Sequence, residues 1–309
     1  MGRPEHADTC TEISLACPIE ATIYGYYPNL GANAFFAAFF GICMIAQILL
    51  GVKYRTWTYM IALTLGCLGE MVGYIGRIIM HGNPWSDIGF QIQICCLIIS
   101  PAFVAGGIYL TLKHIVLNFG EKWSRLRAGW YTWIFISCDI LSLVLQGAGG
   151  GIAATADTGS SMLDVGTNLM ITGVIFQVVV LVFFGYFLGE YTLRTHRHRD
   201  ELSSESLKLL NSSPFRMFMC AVVIAYIGIL GRCAYRIPEL TDGWGSDIMR
   251  NEVEFIVLEG AMIVISVLVL TVFHPGYCFP ALANTIGKKK ASHQKALSED
   301  SGEEMMARA

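Results

Sequence analysis

The chain has 309 residues, 54% of them hydrophobic and 15% charged. That is more apolar surface than a soluble domain of this length buries, so the solvent for most of it is lipid. A net charge of -3 gives no electrostatic case for nucleic acid as a partner.

Residues 1–29 carry Glu5, Asp8, Glu12 and Glu20 and no apolar run. They are expected to form a polar tail, not a cleavable signal peptide. Seven stretches then reach the roughly 20 apolar residues that cross a ~30 Å hydrocarbon core as a helix. They lie at about 31–51, 58–80, 90–112, 130–153, 167–189, 215–237 and 254–274. The expected fold is an all-α, polytopic seven-transmembrane-helix bundle over 30–276. Residues 277–309 follow as a tail, and from about 284 onward its composition, including Lys288 to Lys290, is that of a disordered segment.

Of the 21 Lys and Arg residues, 16 fall in the loops after helices one, three and five and in the C-terminal tail. Cytoplasmic loops carry such an excess, so the N-terminus is expected outside and the C-terminus in the cytoplasm. On that orientation Cys10 and Cys17 lie in an oxidising space, where a small disulfide loop can form. Tyr24, Tyr26, Tyr27, Trp57, Trp130 and Trp244 are expected in interfacial belts.

An ionisable side chain at bilayer depth costs on the order of 2.5–3.5 kcal/mol and needs a partner or a purpose. Helix two places Glu70, Gly73, Tyr74 and Arg77 on one stripe. Helix four offers Asp139, Ser142 and Gln146, helix five Gly173 and Gln177, helix six Arg232, Tyr235, Arg236 and Glu239, and helix seven Glu252 and Glu259. At 1.5 Å per residue, Glu70, Asp139 and Gln177 come near mid-membrane, and Arg77, Gln146, Arg232, Arg236 and Glu259 in the outer half. A water-filled cavity entered from outside is one reading of these groups. Interhelical ion pairs that hold the bundle together are the other. Glu70 and Asp139, with fewer cations expected at their level, are the strongest candidates for a functional role. Pro101 should kink helix three. Gly69 with Gly73, Gly147 with Gly151 and Gly185 with Gly189 have the spacing of close helix contacts.

In order and spacing these features resemble the fungal lipid-translocating exporter family, the resistance-to-aminocholesterol-like proteins. The likeness runs from about Tyr24 to Pro275. It includes Tyr26-Tyr27-Pro28, Glu70-x-x-Gly73-Tyr74-x-x-Arg77, Pro101 with Tyr109, and Asp139-x-x-Ser142-x-x-x-Gln146. It continues with Gly173-x-x-x-Gln177, Arg232-x-x-Tyr235-Arg236-x-x-Glu239, Glu252 and His274-Pro275-Gly276. Helix seven departs from the pattern, with Ile256 where an aromatic is common and Glu259 where an aspartate is. The resemblance implies a plasma-membrane or vacuolar protein that moves amphiphiles: sphingoid bases, phospholipids, sterol-like toxins or porphyrins. A porphyrin would be cargo, and no cofactor is expected.

Two competing functions have sequence signatures of their own. A signalling receptor of the common class carries an acid-Arg-aromatic triplet ending helix three and an Asn-Pro-x-x-Tyr run in helix seven, and neither is present. A retinal pigment needs a lysine in helix seven, and none stands between Glu254 and Phe273. An intramembrane zinc hydrolase needs about three convergent ligands. His81 is expected at the outer side, and His114 and His274 at the inner, so these histidines cannot meet. The expectation is a translocator and not an enzyme.

Overall fold

A computed structural model describes residues 10, 12–15, 17–156, 160–243 and 246–279. Glu5, Asp8, Trp244 and the tail with Lys288 to Lys290 lie outside the described residues. Within them, seven helices are long and apolar enough to cross a membrane: α1 (Leu30–Tyr54), α2 (Trp57–Gly82), α3 (Asp87–Phe119), α4 (Ala128–Thr155), α5 (Ser161–Arg197), α6 (Ser213–Thr241) and α7 (Glu252–Cys278).

Their ends follow local chemistry. Asn29 caps α1 by accepting from the Ala32 amide at 3.0 Å, and Ser86 and Ser160 cap α3 and α5 in the same way. Arg55, at φ 57°, ends α1 in the left-handed conformation, and α2 begins two residues later. A turn this short makes α1 and α2 antiparallel neighbours. Longer connections separate α3 from α4 and α5 from α6, the latter including the short helix Ser204–Leu210.

Helix α5 extends beyond the expected 167–189 at both ends, because its polar termini continue the helix past the hydrocarbon length. Arg194 and Arg197, assigned above to a loop, therefore belong to its last turn, where cations favour the dipole.

Helix α3 is the central element: 61% of its most apolar window is buried, against 28% for α1 and α4. Ile42, Ile45 and Leu49 on α1 and Trp133, Ile140 and Val144 on α4 are exposed, as lipid-facing side chains are. Trp57 and Trp130 are exposed near helix ends. Tyr24 is instead 3% exposed, against Phe90 and Met80, so it departs from the belt pattern.

Two crossings bring backbones together. A Cβ on Gly76 would lie 2.8 Å from the Gly89 carbonyl, and one on Gly149 would lie 2.6 Å from the Gly166 carbonyl. Only glycine admits approaches this close. The expected contact through Gly147 and Gly151 is replaced by Gly149, since a Cβ at either of those two would meet open space. The α4 face toward α5 is thus rotated from the one that four-residue spacing suggested.

Candidate functional site

The polar stripes converge in the half of the bundle nearer the N-terminal segment. Arg232 is 1% exposed and is held by three acceptors. Its Nη1 donates to Glu70 Oε1, and its Nη2 donates to Glu259 Oε1 at 3.2 Å and to the Leu97 carbonyl at 2.7 Å. One turn further along α6, Arg236 donates to the same Glu259 oxygen and, at 2.9 Å, to Glu239 Oε2. Glu259 thereby bridges both guanidinium groups, and α2, α3, α6 and α7 share one charged cluster. Its pairs are buried, so each charge depends on the others to offset desolvation.

Local structure sets these positions. Glu259 sits in a π-helical stretch, Phe255–Ala261. The wider turn rephases α7, and such bulges concentrate at functional sites. Pro101 lacks the amide that would bond the Leu97 carbonyl four residues earlier, and Arg232 takes that acceptor. Helix α3 runs on through Pro101.

Arg77 stands beside the cluster, fully buried and under a different cover. Its Nη2 donates to the Tyr26 hydroxyl at 2.9 Å and lies 3.8 Å from Glu252. Its guanidinium is 3.8 Å from the Phe255 ring centroid and 5.1 Å from that of Tyr24, a cation–π arrangement. Gly25, at φ +71°, turns the chain between the two tyrosines, and Tyr24 accepts from Gln93 at 2.8 Å. Burial raises the Tyr26 hydroxyl above its usual range, against the lowering influence of Arg77. Glu252 accepts from the Asn29 amide at 2.6 Å, and Arg250 donates to the Glu20 carbonyl at 3.1 Å. Upstream, Cys10 and Cys17 form a disulfide. The segment before α1 thus forms a strap fastened to α2, α3 and the start of α7.

This arrangement corrects two expectations. Glu70 does not lie apart from cations, because the long Arg232 side chain reaches along α6 to its level. The charges do not line a broad open cavity either. They pair with one another, and Tyr24 and Tyr26 close over Arg77. A small space, ≈ 20 Å3, lies between α3, α4, α5 and α6 and is lined by Leu97, Pro101, Gln146, Gln177, Arg232 and Arg236 among others. Gln146 Nε2 donates to Gln177 Oε1 at 3.1 Å across it.

A sequence model described as "RTA1 like protein" matches residues 63–282. The chain belongs to the RTA1-like family. It is 30% identical over 289 residues to the sphingoid long-chain base transporter RSB1 of Saccharomyces cerevisiae, covering 85% of this chain and 75% of that protein. It is 28% identical over 211 residues to protoporphyrin uptake protein 1 of the same yeast, covering 67% of this chain and 65% of that protein. Protein RTM1, also from yeast, is 27% identical over 238 residues, with 74% and 73% covered. No solved structure matches.

In this RTA1-like bundle Tyr74 stands beside the charged cluster, within electrostatic reach of Glu70 and Glu259. Tyr74 packs against Phe36 and Phe40 of α1, with ring centroids at 4.8 and 5.8 Å. Asp139 lies deeper, beside Tyr109. The histidines have separate duties: His81 Nδ1 is 2.8 Å from the Pro28 carbonyl, while His274 Nδ1 accepts from the Gly276 amide at 3.0 Å. Among the described residues no group of three or more His, Cys, Asp or Glu could hold a metal ion.

Sequence reasoning missed Phe255, Gln93 and the Leu97 carbonyl. The first follows Glu252 by three residues, one short of the family aromatic, and the π turn places it over Arg77. Gln93 was readable as a polar residue inside an apolar run.

Proposed function

We propose that this protein moves lipid-like amphiphiles across a membrane, in the manner that the names of its relatives state for sphingoid bases and protoporphyrin. The observation that carries this reading is the polar lining between α3 and α6, with guanidinium groups on one side and the Gln146–Gln177 amide pair on the other. At ≈ 20 Å3 the space holds about one water, so the helices must part for a headgroup to pass while an acyl or alkyl tail stays in the bilayer. The role of the chain is passage and not bond chemistry.

On this reading Arg77, Arg232 and Arg236 with Glu239, Glu252 and Glu259 form a gate whose ion pairs exchange partners during passage. The distribution of basic residues supports an N-terminal strap outside the cell and a Lys-rich tail inside, and the plasma membrane is the location that this reading takes. Purified protein in liposomes, supplied with fluorescent long-chain base, phospholipid and protoporphyrin, tests the reading. Protein-dependent movement of at least one amphiphile supports it. Folded protein that moves none overturns it.

A further inference from the structure

One acidic group inside the bundle has no cation beside it. Arg232 and Arg236 pair with Glu70, Glu239 and Glu259, and Arg77 pairs with Glu252 at the rim. Asp139 is separate from all of them. It is 4% exposed, and neither carboxyl oxygen closes a hydrogen bond of normal geometry. Tyr109 of α3 faces it with a fully buried hydroxyl that is likewise unsatisfied. The other titratable groups nearby are Cys233 of α6 and Cys138 of its own helix, with Tyr226 of α6 behind Tyr109. None is a cation. On α5 the neighbouring surface is aromatic, with Phe184 4.5 Å from the Tyr109 ring centroid.

A carboxylate this deep costs several kcal/mol unless a positive charge or a proton completes it. Asp139 is outside the lining of the interhelical cavity, but its neighbours reach it. Cys233, which faces Asp139, also lines the interhelical cavity. Gln146, on the same face of α4 and about 10 Å along the axis, lines that cavity too. The adjacent residues Ile140 and Leu141 are exposed on the lipid side, where a single alkyl chain has room.

We propose that Asp139, flanked by the Tyr109 hydroxyl, is a binding site for the ammonium group of single-chain amines. The ligand-free site is completed by a proton. An entering R–NH3+ displaces it, the carboxyl O–H bond breaks, the proton leaves to water and the ammonium pairs with the carboxylate. Charge is conserved, and each amine bound releases one proton. The inference rests on the transport reading and adds to it selectivity for cationic over neutral amphiphiles and an exchange with protons.

The test uses the full chain in lipid nanodiscs under weak buffering with a pH indicator, titrated with octadecylamine or octadecanol. Wild type should bind the amine at least about tenfold more tightly than the alcohol, a difference of ~1.4 kcal/mol, and release about one proton per amine. Asp139→Asn should lose the preference and the proton release while still binding the alcohol. Asp139→Glu, which keeps the charge, should retain both, and Tyr109→Phe should weaken amine binding several-fold. If Asp139→Asn does not fold, the Asp139→Glu and Tyr109→Phe results decide. An amine preference with proton release that survives Asp139→Asn, or that Tyr109→Phe leaves unaltered, or a loss of both in Asp139→Glu, or equal binding of amine and alcohol by wild type, overturns the assignment and leaves transport standing. Wild type that binds neither amphiphile overturns the assignment, and the liposome experiment decides on transport separately.

Discussion

Arg232 donates from Nη2 to the main-chain carbonyl of Leu97 at 2.7 Å, an acceptor that Pro101 leaves without its amide partner. A proline in α3 and an arginine in α6 are thus two halves of one interaction. The helix gives up an internal bond, and a buried guanidinium gains a neutral acceptor between two carboxylates.

Pro101→Ala restores the amide and brings it into competition with Arg232 for the Leu97 carbonyl. Helix propensity rises by up to about 3 kcal/mol, so the melting temperature in detergent should hold or increase. Amphiphile movement in liposomes should fall several-fold. Unchanged movement would show that the Leu97 contact is dispensable.

Arg232→Met strands Glu70 in the interior, while Glu259 keeps Arg236. Removing one partner of a buried pair costs about 3–5 kcal/mol, enough for a marked drop in yield and melting temperature. Combining it with Glu70→Gln should recover part of that loss, because a neutral amide tolerates burial better than an unpaired charge. A double-mutant cycle on thermal stability measures the coupling.

The α4–α5 crossing separates two glycines with the same sequence appearance. Gly149→Ala drives a methyl to 2.6 Å from the Gly166 carbonyl and should destabilise by roughly 1–3 kcal/mol. Gly147→Ala points into open space, where the gain in helix propensity, up to ~1 kcal/mol, is expected instead. Melting curves of the two variants should move in opposite directions.

The N-terminal strap yields a prediction about order as well as stability. Tyr26→Phe removes an acceptor from Arg77 and should cost about 1–3 kcal/mol. Reducing the Cys10–Cys17 disulfide should increase hydrogen exchange in residues 17–29 and leave α3 protected. Equal exchange in both redox states would show that the hydrogen bonds of the strap hold it unaided.

The number of membrane helices, their places in the chain and the enrichment of charge in one half of the bundle were all readable from residue order. Hydrocarbon thickness fixes the length of an apolar run, and helical periodicity fixes which residues share a stripe. The resemblance carried by Glu70, Arg77, Arg232 and Arg236 led to the RTA1-like family for the same reason: their spacing survives in a linear string. What pairs with what did not. Glu70 looked isolated because depth along an axis ignores the reach of an arginine side chain. Gly147 and Gly151 looked like a contact because spacing cannot report which way α4 is turned toward α5. Glu259 was read on an ideal 3.6-residue helix, while α7 opens into a π turn. Only the packed structure pairs the three arginines with four glutamates and leaves Asp139 without a cation, since charge compensation in a membrane is settled by contacts between helices, whose relative rotation the sequence of each does not carry.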